Sequence, residues 1–123
     1  MIKNFLLVAA GGSIGSMARY AGQRLFQFNQ AGAFPSGTFT VNIIGSLLIG
    51  LLWGISLKNP NTSTEWKLFF MTGICGGFTT FSAFTQESIS LLRDGKSGLF
   101  FIYAGASIIL GLLATAFTFR LTQ

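Results

Sequence analysis

The stretch TGICGGFTTFSAFTQE, Thr72 to Glu87, decides how this chain folds. It is mostly apolar, yet Gly73, Gly76 and Gly77 sit near its middle, followed at once by Thr79, Thr80 and Ser82. Glycine weakens a helix and admits unusual dihedrals. At membrane depth, irregular backbone is tolerated only where protein buries it or where it lines a wet cavity. The stretch predicts a helix broken near its middle, whose freed carbonyls can coordinate a cation. The competing reading is an intact helix whose glycines allow close packing. Phe81 and Phe84 follow at a spacing of three and share a face, with Ser82 and Thr85 on the face beside it. A Phe ring has a positive edge that can face an anion without holding it tightly. With 14 Phe in the chain, lipid contact or packing is the default for any one of them.

Outward from this stretch, the composition is that of a membrane protein. Only 11 of 123 residues are charged (8 Lys and Arg, 3 Asp and Glu). A soluble domain carries about 25% charge, so a soluble enzyme is excluded, as is a disordered chain, which needs high charge and low hydrophobicity. There is no His and one Cys, Cys75, which excludes a histidine base, a zinc cluster and an intrachain disulfide. The net charge of +5 comes from scattered single residues, with no patch for nucleic acid.

Four stretches approach the roughly 20 apolar residues that cross a bilayer: 2–28, 38–57, 68–92 and 99–119. The expected fold is an all-α integral membrane protein, one domain over 1–123 with four transmembrane helices and the third broken. Short connections separate the spans: 27–37 with Asn29, Gly32, Pro35 and Gly37, then KNPNTSTE at 58–65 and RDGKSG at 93–98. Trp53, Trp66 and Tyr103 fall near expected membrane edges. Lys3 before the run ending at Ala9 and Ala10 is similar to a signal peptide, but small and apolar residues continue to Ala18 and the segment reads as a retained span.

Lys and Arg near helix ends set orientation. Four spans put Lys3, Lys58, Lys67 and Arg120 on one side and Arg19, Arg24, Arg93 and Lys96 on the other, a bias of 4 − 4 = 0. Such a chain has no strong reason to insert one way only. Dual topology, with opposite copies pairing, competes with a single orientation set by other signals.

Small and polar residues recur every fourth position, as on helix faces that meet other helices. The rows are Gly11 and Gly15; Asn42, Ser46, Gly50 and Gly54; and Tyr103, Ser107, Gly111 and Thr115. Packing is the better reading for the glycines. For Asn42, Tyr103, Ser107 and Thr115, lining a route is equally open. Charges inside spans point to function by default, but Arg19 and Glu87 lie close enough to an edge to snorkel.

Together, GGSIGSMARY (Gly11 to Tyr20), PSGTFTVNIIGS (Pro35 to Ser46) and GICGGFTTFSAFTQE (Gly73 to Glu87) resemble the bacterial fluoride-channel family known as Fluc or CrcB. The resemblance covers nearly the whole chain, and GGxTTFSxF in a third span is its most specific part. It implies a dual-topology, antiparallel homodimer in the inner membrane, passing fluoride outward along two pores around one structural sodium ion. By position, the backbone carbonyls of Gly76 and Thr79 would hold the sodium. Asn42 would donate its amide to fluoride, Phe81 and Phe84 would form the paired rings along each pore, and Ser82, Tyr103, Ser107 and Thr115 would supply hydroxyls. Arg19 resembles the family's vestibule arginine and Glu87 its acidic residue toward the other end. Ala83 stands where the family usually has Thr, and Gly111 where it often has Ser.

The main rival is a small four-span proton-coupled multidrug exporter, which needs an embedded carboxylate in its first span; 2–28 has no Asp or Glu. An enzyme finds no nucleophile–base pair or metal-ligand set.

Overall fold

The computed structural model describes residues 1–28 and 33–123. It is built of helices: α1 (Ile2–Phe26), α2 (Ser36–Lys58), α3 (64–78), α4 (Phe81–Arg93) and α5 (Ser97–Leu121). Within α3, the central stretch Leu68–Cys75 winds in wider, π-helical turns. Among the described residues there is no strand.

The helix ends follow local chemistry. Ser63 caps α3 by accepting from the Trp66 amide at 3.1 Å, and Thr80 caps α4 by accepting from Ala83 at 3.2 Å. Between α4 and α5, Gly95 turns the chain at φ 77°, a left-handed conformation that favours glycine. The first helix ends at Phe26, two residues before the expected boundary, because Ser36 Oγ donates to the Phe26 carbonyl at 2.8 Å and draws α2 back over the turn. Asn29 and Gly32, expected in that connection, lie outside the described residues.

The segment expected as the third span differs most from expectation. It is helical through Gly73, Gly76 and Gly77, and the break falls just after them, at Thr79 (φ −86°, ψ 156°) and Thr80 (φ −148°, ψ 116°). Gly73 and Gly77 serve contact with α1, while Gly76 is exposed. A methyl group on Gly11 would overlap the Phe69 carbonyl oxygen, and one on Gly73 would lie 2.9 Å from Gly11 Cα. The two helices thus meet backbone to backbone, as small residues permit where lipid gives no hydrophobic reason to associate. On the other side, α2 packs most extensively against α5.

The surface is inverted relative to a soluble protein. Thr38, Ser56, Ser88 and Thr118 are buried, while Phe101 is 70% exposed, Leu112 68% and Phe117 60%. Such apolar flanks suit hydrocarbon as the solvent. Among the described residues, three helical stretches are long and apolar enough to cross a membrane: Ser36–Lys58, Thr64–Arg93 and Ser97–Thr122. With 25 residues α1 matches them in length, about 37 Å at 1.5 Å per residue, but it is less apolar.

Side-chain contacts gather the helix ends. Lys3 pairs with Glu65 at 3.4 Å and Gln123 Nε2 donates to the Gly54 carbonyl at 3.0 Å. The start of α1, the end of α2, the start of α3 and the end of α5 therefore share one end. At the other end, Gln23 Nε2 donates to Thr38 Oγ1 at 3.1 Å.

Candidate functional site

The break is held open by side chains from two neighbouring helices. Asn42 on α2 faces it with both ends of its carboxamide: Oδ1 accepts from the Thr80 amide at 2.9 Å and Nδ2 donates to the Thr80 carbonyl at 3.1 Å. Because a backbone amide can only donate, this pairing fixes which way the carboxamide points. Arg19 on α1 reaches the same region and donates from Nε to the Gly77 carbonyl at 3.0 Å.

These bonds decide which carbonyls remain. In a continuous helix the Thr80 amide would serve the Gly76 carbonyl and the Ala83 amide the Thr79 carbonyl. Here the first is taken by Asn42 and the second by Thr80 Oγ1. The Gly76 and Thr79 carbonyls, named from the sequence, thereby lose their helical donors, as do those of Gly77 and Phe78, whose helical donors would be the Phe81 and Ser82 amides in the first turn of α4. Neutral oxygens of this kind suit a hard monovalent cation, and the described residues hold no cluster of three or more His, Cys, Asp or Glu as an alternative ligand set.

Beside the break lies a cavity of about 400 Å³. Its wall includes Asn42 and Ser46 from α2, Gly76, Thr79 and Thr80 from the break, Phe81 and Phe84 from α4, and Ser107 from α5. The lining residues are all neutral. Ser46 Oγ donates to the Asn42 carbonyl at 2.9 Å. Ser107 Oγ, in contrast, is buried with no partner, a condition that costs about 1–3 kcal/mol if nothing supplies one.

A row of rings leads away from the cavity. Phe81 and Phe84 have centroids 5.7 Å apart, Phe84 and Tyr103 5.2 Å, and Tyr103 and Phe34 5.5 Å, the last pair edge to face. Phe81 is 76% exposed, so one end of the row opens on the protein's outer face. Tyr103 is fully buried, so it is not the membrane-edge aromatic that its position suggested. Its hydroxyl donates to Glu87 Oε1 at 3.2 Å, and Thr38 donates to Oε2 at 3.0 Å. Glu87, like Arg19, turns inward to a protein partner rather than snorkelling to an edge.

The structure thus brings Asn42, Gly76, Thr79, Phe81, Phe84 and Ser107 to one cavity. Tyr103 and Glu87 sit behind Phe84, and Arg19 on the α1 side of the break. Ser82 is exposed, its hydroxyl 3.3 Å from that of Thr80. Thr115 donates to the Ser46 carbonyl at 3.0 Å, which commits its proton to the contact between α2 and α5. Sequence reasoning missed Thr38 as a partner of Glu87, and Gln23 as the donor behind Thr38. A signal was present for Thr38: it stands four residues before Asn42 and extends that row by one turn.

Residues 6–119 match the family model described as CrcB-like protein, Camphor Resistance (CrcB). Curated relatives agree. A protein of Bacteroides fragilis named fluoride-specific ion channel FluC is 47% identical over 116 residues, covering 92% of this chain and 91% of its own. Relatives of the same name from Flavobacterium psychrophilum and Azobacteroides pseudotrichonymphae are 42% identical over 114 residues and 40% over 123. They cover 93% and 100% of this chain, and 92% and 98% of their own. These relatives are named as channels and not as enzymes. With a matching family model over nearly its full length and helices suited to several membrane crossings, this chain is a multi-pass membrane protein that belongs to the CrcB-like family.

Proposed function

We propose that this protein is a fluoride channel of the bacterial inner membrane, exporting fluoride from the cytoplasm and so lowering its toxicity. In this reading residues 1–123 form one domain of four spans, α1 being the fourth crossing. Two copies pair antiparallel, with one sodium ion at the centre. The substrate is carried over from relatives that are 40–47% identical and named as fluoride-specific.

The observation that carries the reading is the unpartnered Ser107 hydroxyl in a cavity with a neutral wall. An anion passing through supplies the missing acceptor. The second Nδ2 proton of Asn42 and the ring edges of Phe81 and Phe84 add further weak donors. No full positive charge lines the cavity, so fluoride is held loosely enough to leave, as conduction requires. Sodium fits the Gly76 and Thr79 carbonyls: two oxygens from each copy give four around a two-fold axis. Pairing is supported by the exposed position of Gly76, since an unmet carbonyl facing lipid is costly and a second copy would cover it. The balanced charges favour insertion in both directions.

The test is efflux from proteoliposomes containing the purified protein, followed with a fluoride electrode, with chloride as the control ion. Fluoride is expected to leave and chloride to stay; folded protein that releases no fluoride overturns the reading.

A further inference from the structure

Arg19 is the charge nearest the break, and its contact there is made by a single atom. Gly11, Gly15 and Arg19 stand four residues apart on one face of α1. The two glycines lie directly against the α3 backbone: methyl groups there would overlap the Phe69 and Ile74 carbonyl oxygens. That close approach brings the next residue in the row, Arg19, within reach of the break. Its Nε, and not the terminal fork of the guanidinium, donates to the Gly77 carbonyl at 3.0 Å.

The break frees a run of neighbouring carbonyls. Thr80 is met by Asn42 and Gly77 by Arg19, Gly76 and Thr79 have lost their helical donors to other partners, and Phe78 has lost its own because α4 restarts at Phe81. We propose that Arg19 is a positioning residue that acts through this one hydrogen bond and not through its charge: it withdraws the Gly77 carbonyl from competition with its neighbours Gly76 and Thr79 for the cation. The inference rests on the sodium reading above and goes beyond it, because it assigns to α1 the choice of which oxygens bind.

Glutamine provides the test. Its Nε2 lies the same number of bonds from the backbone as arginine Nε, so Arg19→Gln keeps a donor at that place and removes the charge. Arg19→Met keeps the length and removes both. Wild type and variants are purified in sodium-free choline buffer, and melting temperature is measured as sodium is titrated in. The wild type is expected to be stabilised by sodium. Arg19→Gln should need sodium within about threefold of wild type, and Arg19→Met at least tenfold more. If Gln behaves like Met, charge is what matters and the proposal is overturned. If Met behaves like wild type, the contact has no role and it is overturned again. A wild type with no response to sodium overturns the sodium reading itself, and the proposal with it. Fluoride efflux from the same samples separates the two uses of the side chain: a neutral variant that keeps its sodium response but conducts slowly reports a separate electrostatic effect on the anion, and leaves the positioning role supported.

Discussion

The two halves of Thr64–Arg93 hold their neighbours by opposite means. In 64–78 side chains are removed: Gly73 and Gly77 meet Gly11 and Gly12 at backbone distance, and dispersion does the work. In Phe81–Arg93 side chains reach out: Phe84 packs on Tyr103, Glu87 accepts from Thr38 and Tyr103, and Thr80 just ahead is gripped by Asn42. The face that the first half turns to α1 is a seam that tolerates no added atom at Gly73 or Gly77. The second is a polar and aromatic wall whose members can be exchanged one at a time. A rigid half beside an adjustable half is what a site at the junction needs: one side fixes the carbonyls and the other tunes the donors.

The sharpest way to break the comparison is a glycine substitution in the seam. Gly11→Val drives a branched side chain into the Phe69 carbonyl, where backbone cannot yield. Overpacking of this kind costs about 1–3 kcal/mol or more, and we expect no monodisperse protein after size-exclusion chromatography. Gly12→Ala, one residue on, meets nothing within 4 Å and should give normal yield and melting temperature. Equal behaviour of the two variants would dissolve the seam.

A smaller effect is expected where the halves join. Asn42→Asp keeps the acceptor for the Thr80 amide but turns a second oxygen, often charged, toward the Thr80 carbonyl. Losing a buried donor costs about 1–3 kcal/mol, so the protein should melt lower yet still fold, and its fluoride efflux should fall at least tenfold. Unchanged efflux from the folded variant would show that the grip on Thr80 is dispensable.

The smallest effects belong to the wall. Phe84→Ile gives up its ring contacts with Phe81 and Tyr103, worth about 0.5–1.5 kcal/mol beyond area, so both melting temperature and efflux should drop. Phe81→Ile changes a residue that is mostly exposed; efflux should slow severalfold with little change in melting. If both variants melt alike, the wall is more uniform than its burial implies.

Much of this was legible in advance because membrane helices announce themselves by length and by the near absence of charge, and close helix contacts by small residues at every fourth place. Those signals are local, so the order of the apolar stretches, the possibility of a break and the faces bearing Asn42, Phe81 and Phe84 could be read directly. The location of the break could not. Glycine permits irregular backbone but equally permits close approach, and only the presence of α1 against Gly73 and Gly77 decided for approach, leaving Thr79 and Thr80 to be pulled out of the helix by Asn42. The same holds for the hydroxyls. Ser107 and Thr115 are alike in sequence, two turns apart on one face of α5, yet one is buried without a partner on a cavity wall and the other is spent on the Ser46 carbonyl. A side chain's chemistry is written in its residue type, but whether its donor remains available depends on which acceptor the tertiary fold brings within 3 Å, and that is a property of the packed helices and not of any one of them.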